Sequence, residues 1–369
     1  MRVLLINSVL GYGSTGKIVL DIAKEYEKRG DEVRIAYGRK VSGSEDEKKY
    51  GVRIGTGADI LYHSFATRLA DRHGLASKRA TAAFLKWADE FNPDLLWLHN
   101  IHGYYINYEL LFEWIKSRPE MQVKWTLHDC WTFTGHCAHF TYVKCDKWKT
   151  GCEKCPQSDG YPKSSRDNSS DNYRRKKASF TGVKNLTIIA PSNWLRELLG
   201  KSFLSEYPVE VVYNTINKEV FKPTESSFKA DYGLPDKKVI LGVASVWSDR
   251  KGLNDFIKLS TLIDSDAYRI VLVGLNKKQI ESINKAAPNI VALPRTSSAH
   301  ELAKIYSAAD VFVNPTYEDT FPTVNMEAEA CGTPVITYDT GGCRETIKGE
   351  TSSVVAQDIN AVYEIIREL

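Results

Sequence analysis

Short apolar runs alternate with longer stretches of helical period along almost the whole chain. That pattern predicts an α/β fold, a parallel sheet covered by helices on both faces. In the first half the apolar runs at 3–6, 33–36, 95–98, 123–127, 187–190 and 209–212 predict strands. The pattern restarts at 239–243 and continues at 269–273, 311–313 and 335–337. Between the halves, residues 218–238 carry Pro223, two serines, Gly233 and Pro235, a linker composition. The prediction is a doubly wound domain at 1–218, a linker at 219–236 and a second doubly wound domain at 237–369. Two such domains facing across a cleft would hold a ligand at the carboxyl ends of their strands. Residues 130–177 fit no βα unit and read as a polar, cysteine-rich insertion.

The chemistry concentrates in NPTYEDTFPTVNMEAEACG, residues 314–332. Pro315 stops a strand, and Pro322 suits the first position of a helix, where its missing N–H costs nothing. The N–H groups of Thr323, Val324 and Asn325 would then face outward as an anion or hydroxyl site. Glu318 and Asp319 precede that site, and Glu327 and Glu329 follow it. Glu327 would lie about 8 Å along the helix at 1.5 Å per residue, so two carboxylates could meet opposite ends of a polyhydroxylated ligand. An acidic helix start that only complements the macrodipole is the equal alternative.

Two further stretches suit a phosphate. Gly11-Tyr12-Gly13-Ser14-Thr15-Gly16-Lys17 follows the first strand and opens a helix, which lets backbone N–H groups approach an anion. Its spacing mimics a nucleotide-hydrolase P-loop, but Ile18 stands where a magnesium-binding hydroxyl belongs. Arg250-Lys251-Gly252 places two cations at a helix start, against the macrodipole unless an anion sits among them. Asp264-Ser265-Asp266 has the look of a metal-binding Asp-x-Asp, yet it sits where a turn is expected.

Length and composition narrow the class. With 369 residues, 43% hydrophobic and 26% charged, the chain is ordinary two-domain globular material. A net charge of +3 argues against nucleic acid as a bulk partner. No apolar run is long enough to span a membrane, and MRVLLINSVL reads as a first strand rather than a signal peptide. The default compartment is the cytoplasm, where seven cysteines are thiols or metal ligands. Cys137, Cys145, Cys152 and Cys155, ending in C-x-x-C, suit a structural zinc knuckle that folds the polar insertion; reduced thiols or an iron–sulfur site are the alternatives. Cys130, His136 and His139 are spare ligands. The basic run Arg174, Arg175, Lys176, Lys177 is either a solvated helix face or a peripheral contact with anionic lipid at the inner membrane face.

Together these stretches resemble the retaining glycosyltransferases of family four, which have the GT-B fold. The resemblance runs from MRVLLINSVLGYGSTGK to GTPVITYDTGGCRETI. It includes Asp319-Thr-Phe-Pro-Thr-Val-Asn-Met-Glu327, Pro93-Asp94-Leu-Leu-Trp-Leu-His99, Leu127-His128-Asp129, Pro191-Ser192-Asn193-Trp194 and Val212-Tyr-Asn214. The GHC…C…GC-x-x-C insertion is similar to a subgroup that builds capsular or exopolysaccharide sugars. The resemblance implies a nucleotide-sugar donor, with a glycan or lipid-linked saccharide as acceptor. Gly13 and Gly16 would admit the donor diphosphate, and Arg250 and Lys251 would neutralise it. Glu327 would accept hydrogen bonds from the ribose. Asp319, or Glu318 after a small shift, would hold the transferred sugar with the N–H groups of the Phe321, Pro322, Thr323 turn. His99 would lie beneath the anomeric centre, with His102, His128 and Asp129 on the acceptor side. Catalysis would need no metal, because the leaving phosphate can take the acceptor proton.

The family usually has Glu where Asp319 stands, and its Gly-Arg pair aligns with Ser245-Val246. The chain also stops at Leu369, short of the tail that crosses back in this fold. The alternative is a sugar-nucleotide epimerase or phosphorylase of related fold, which would share the phosphate clamp. A non-catalytic nucleotide-sugar sensor is the other.

Overall fold

Strand β1 (Arg2–Asn7) shows why the apolar runs are continuous. In a computed structural model describing residues 1–39, 43 and 45–369, Val3 and Leu5 enter one apolar cluster while Leu4 and Ile6 enter another. Both faces of the strand are covered, so neither can be polar. The chain divides into two compact units, residues 1–212 and 213–369.

The first unit continues with β2 (Glu32–Tyr37), β3 (Gly51–Arg53), β4 (Leu95–Leu98), β5 (Gln122–Thr126), β6 (Leu186–Ala190) and β7 (Val209–Val211). Among the described residues they form a seven-stranded sheet in the order β3-β2-β1-β4-β5-β6-β7, every pair parallel. The order reverses direction between β1 and β4, where the loops leaving two neighbouring strands diverge and open a crevice. The glycine-rich loop leaves β1 at that point, and His99 follows β4.

The second unit holds β8 (Lys238–Val243), β9 (Tyr268–Val273), β10 (Ile290–Leu293), β11 (Val311–Asn314), β12 (Val335–Tyr338) and β13 (Ser353–Val355). Its six-stranded sheet, again parallel, has the order β10-β9-β8-β11-β12-β13, with the switch between β8 and β11. The loops after those two strands carry Arg250-Lys251 and Glu318-Asp319. Two doubly wound, Rossmann-like units are therefore present, and the ten strands read from the sequence all lie in them.

Three strands escaped the sequence: β3, β10 and β13. Each is a sheet edge of three or four residues and partly exposed, so it lacks the apolar run that marks a central strand. The expected linker is also no linker. Phe221, Phe228 and Leu234 are buried in the second unit's core beside Val239 and Tyr306, with a short helix at Phe228–Asp231. Pro, Ser and Gly marked the turns of this stretch correctly, but three large apolar side chains anchor it.

The 130–177 insertion folds around aromatic rings. Phe133, Phe140 and Trp148 are buried and pack with centroids 4.8 to 6.1 Å apart. The insertion ends in the Ser169–Phe180 helix, whose Lys176 is buried and donates to the carbonyls of Trp131 (2.6 Å) and Thr134 (3.0 Å). Asp264-Ser265-Asp266 forms a turn in which Asp266 N–H donates to the Asp264 carboxylate at 2.9 Å.

Candidate functional site

In the second unit the two switch-point loops are fastened to each other. Tyr317 N–H donates to the Arg250 carbonyl at 2.8 Å, and the Arg250 guanidinium donates to the Glu318 carbonyl. The Lys251 ammonium pairs with the Asp319 carboxylate. Arg250 and Lys251 lie on a 3-10 turn (Asp249–Lys251) ahead of the Leu253–Leu262 helix. The anion that offsets these cations is thus a side chain of the opposite loop.

Two glycines permit this closeness. Gly252 sits at φ +73° with its missing Cβ aimed at the Pro315 carbonyl, and Gly341 at φ +55° with its own aimed at the Asp319 carbonyl. Any side chain would push the loops apart, besides favouring the wrong backbone region. Gly342 N–H then donates to the Asp319 carbonyl at 3.0 Å, and the Thr340 hydroxyl to that of Tyr317 at 2.9 Å. Asp319 also accepts from Phe321 N–H at 3.2 Å, an Asx turn leading into the helix.

That helix is Thr323–Ala330, one residue later than the sequence suggested, with Pro322 capping it in extended conformation. Asn325 N–H is consumed by the Pro322 carbonyl at 3.2 Å, so Asn325 leaves the set of outward donors. Its side chain instead ties the helix down, accepting from Asn314 at 2.8 Å and donating to Thr346 at 2.9 Å. Glu327, four residues into the helix, accepts from the Tyr306 hydroxyl at 3.2 Å and from Thr323 at 3.4 Å. Burial together with the Glu327 charge pushes the Tyr306 phenol well up, so it stays a donor. Glu318 is fully buried, whereas the Asp319 side chain keeps about a fifth of its surface. Phe321 stacks on Tyr213, centroids 5.2 Å apart.

The sequence missed the Gly252 and Gly341 clamps and the Tyr306 and Tyr213 contacts. The Gly341-Gly342 pair was the one available signal. Tyr306 and Tyr213 are remote in sequence and carry no local mark.

In the first unit, Gly13 opens the Gly13–Lys28 helix and Gly16 lies on its buried side. A Cβ on Gly16 would stand 3.1 Å from both Gly11 N and Val9 Cγ2, so this glycine lets the helix pack on its own loop. His99 is buried; its Nδ1 lies 3.1 Å from His128 Nε2, and its ring stacks between Trp97 and His128. Burial pushes the His99 imidazole well below its ordinary range, so it is neutral, and its Nε2 has no partner among the described residues. Burial also lowers His128, to about 4. His102 bridges Tyr161, whose hydroxyl is 3.0 Å from Nδ1, and Asp129, whose carboxylate is 3.0 Å from Nε2. Burial alone would raise the Asp129 carboxyl, but the His102 charge and hydrogen bond outweigh it and hold it well below the usual range.

The cysteines gather without forming a metal centre. Cys137, Cys145, Cys152 and Cys155 line one small cavity with Phe140 and Trp148, and Cys137 is hydrogen-bonded to Cys155. Among the described residues, no three His, Cys, Asp or Glu side chains are placed to hold a metal ion. The zinc expected from the spacing finds no support in this arrangement, and aromatic rings supply a core for the insertion. The basic run is split between buried and exposed positions. Lys176 is buried, Arg175 pairs with Asp171 (2.6 Å) and Glu109 (2.8 Å), and Arg174 with Asp171 (3.3 Å). Arg174 and Lys177 stay exposed, with the buried Lys176 interrupting the run. No helix among the described residues is long and apolar enough to cross a membrane.

Comparison with known proteins fits this geometry. Residues 15–220 match the family described as Glycosyltransferase Family 4, and residues 237–369 match Glycosyl transferases group 1. The chain is 24% identical to the colanic acid biosynthesis glycosyl transferase WcaC of Escherichia coli K12, over 97% of this chain and 88% of that protein. Its fold matches sucrose-phosphate synthase from Thermosynechococcus elongatus with a TM-score of 0.72 at 18% identity, covering 100% and 89% of the two chains. It also matches Anabaena HepE in complex with UDP-glucose, TM-score 0.63 at 15% identity, covering 100% and 89%.

Proposed function

The chain belongs to glycosyltransferase family 4, a GT-B glycosyltransferase of polysaccharide biosynthesis, and from that premise we propose a retaining transferase that needs no metal for catalysis. The observation that carries this reading is the Lys251–Asp319 pair beside the Thr323–Ala330 helix, with Glu327 one turn further on. A cation, a carboxylate and two N–H donors along one short path suit a diphosphate, a hexose and a ribose in succession. HepE, similar in fold, is held with UDP-glucose, which supports a nucleotide-sugar donor for this chain. The acceptor is a glycan or lipid-linked saccharide of surface polysaccharide synthesis, as the WcaC likeness suggests.

The roles follow from the contacts. Lys251, with Arg250 behind it, neutralises the departing diphosphate; preorganised charge of this kind is usually the largest catalytic term. Asp319, released from Lys251 when the diphosphate arrives, accepts a hydroxyl of the sugar. The exposure of Asp319 and the burial of Glu318 favour Asp319 as the working acid. Glu327, aimed by Tyr306, accepts the ribose hydroxyls. Gly13 and Gly16 on the first unit are assigned to the diphosphate. Neutral His99 offers Nε2 to the sugar, and His102, His128 and Asp129 are assigned to the acceptor. As the anomeric carbon–phosphate oxygen bond breaks, the acceptor oxygen bonds to the same face and its proton passes to the released phosphate oxygen. The compartment proposed is the cytoplasm, where seven thiols remain reduced.

Incubation with UDP-, GDP- and ADP-sugars, followed by proton NMR, tests the reading. One donor should be consumed at a substantial rate only when a saccharide acceptor is added, and the product should keep the donor's anomeric configuration. Consumption without acceptor, yielding an epimer or a sugar phosphate, would contradict it.

A further inference from the structure

The Gly57–Ala70 helix wears its polarity inside out. Leu61, Tyr62, Phe65 and Leu69 are 62%, 66%, 60% and 59% exposed, whereas His63 and Thr67 are fully buried. At 100° per residue the four apolar side chains fall within an arc of about 100°, and the buried polar pair lies opposite. The inward face is satisfied, which fixes this orientation. His63 Nδ1 is 2.8 Å from the Ser77 hydroxyl, its Nε2 accepts from Gly74 N–H at 2.9 Å, and Thr67 donates to the His63 carbonyl at 2.9 Å. Rotating the helix to hide the apolar stripe would orphan both ring nitrogens of His63.

Such a stripe on a surface helix is a docking face. Its rim says what docks. Arg68 lies on the helix beside Leu61 and Phe65, Arg72 follows it, and Lys78 and Arg79 open the next helix; all four are exposed. Lys163 and Arg166 flank Ser164 and Ser165, whose hydroxyls donate to the Arg68 carbonyl. None of these six cations enters an ion pair among the described residues. Of the nearby acids, Asp59 is held in the capping box by Thr56, Asp71 is buried against His136, and Asp171, within electrostatic reach of Arg72, is paired with Arg174 and Arg175. An apolar ridge carrying Tyr and Phe, with a rim of six cations outside any ion pair, is complementary to a bilayer with anionic head groups.

We propose that the Leu61–Tyr62–Phe65–Leu69 face, with Arg68, Arg72, Lys78 and Arg79, docks this protein peripherally on an anionic lipid surface. The face lies wholly in the first unit and is independent of the donor site, so vesicle binding is read without turnover. Flotation of the full chain with vesicles of phosphatidylcholine alone, or mixed with phosphatidylglycerol, tests it. The protein should float with the mixed vesicles and dissociate as salt is raised, since cation–headgroup attraction is screened. The double variant Leu61→Ser/Phe65→Ser should lose about tenfold or more in vesicle affinity with an unchanged thermal midpoint. Arg68→Gln/Arg72→Gln should weaken binding and flatten its salt dependence. Several results would overturn the proposal. These are no flotation of the wild-type chain, a Ser variant that floats as well as the wild type, or equal binding to neutral vesicles. A wild-type dimer that the Ser variant splits would instead make the face a contact between copies.

Discussion

The Lys251 ammonium is neutralised by the Asp319 carboxylate of the neighbouring switch-point loop. A diphosphate that binds Lys251, as proposed, should displace Asp319 and free its carboxylate for the sugar. On the proposed roles, nucleotide binding and sugar positioning should be coupled through this exchange. Asp319→Asn should bind the nucleoside diphosphate alone more tightly than the wild type, while slowing transfer. Calorimetric titration and initial rates on the same variant check both halves; weaker nucleotide binding would sink the exchange.

Lys251→Ala removes the charge proposed to meet the leaving group. The expected loss in kcat is about 10²–10³-fold, the range for deleting one preorganised stabilising group. Initial rates at saturating donor give the number. A fall in donor affinity with kcat intact would assign Lys251 to ground-state binding instead.

Glu327→Ala should weaken nucleoside diphosphate binding by about 1.5–3 kcal/mol, the usual worth of hydrogen bonds to a charged acceptor. Tyr306→Phe should cost less, because Tyr306 orients Glu327 through a single 3.2 Å bond. Equal losses in the two variants, measured by titration, would make Tyr306 more than a positioning group.

Much of this was readable in advance. Ten of the thirteen strands among the described residues, both switch-point loops and the 314–332 stretch followed from apolar runs, prolines and clustered acids, all of which are local. What the sequence hid was tertiary. Edge strands β3, β10 and β13 bury too little to leave a pattern. Phe221 and Phe228 sit among turn residues and look like linker until the second unit's core receives them. The 130–177 insertion looked metal-dependent because four cysteines are conspicuous and three scattered aromatic residues are not.

That insertion yields a stability prediction. Trp148→Ala should cost about 3–5 kcal/mol, as expected for emptying a buried aromatic site. Prolonged incubation with a zinc chelator should leave the thermal midpoint unchanged. A midpoint that falls with chelator would restore the metal.

Lys176 gives a pH dependence. Burial lowers its ammonium from an ordinary 10.5 to about 7. Below pH 7 the group is charged in both states and the folded protein bears the full cost of burying it. Between about 7 and 10.5 the unfolded chain holds a proton that the folded chain has released, so stability rises with pH. Lys176→Met should remove this rise, a difference of the order of a few kcal/mol between pH 6 and pH 10. Denaturant melts of both proteins across that range would show parallel pH curves if Lys176 did not titrate there.

The most direct test is a crystal structure with a nucleoside diphosphate bound. The distal phosphate should lie within hydrogen-bonding distance of Lys251 Nζ, Asp319 should have swung free, and the ribose hydroxyls should rest on Glu327. A diphosphate bound elsewhere, with Lys251 and Asp319 still joined, would contradict the account.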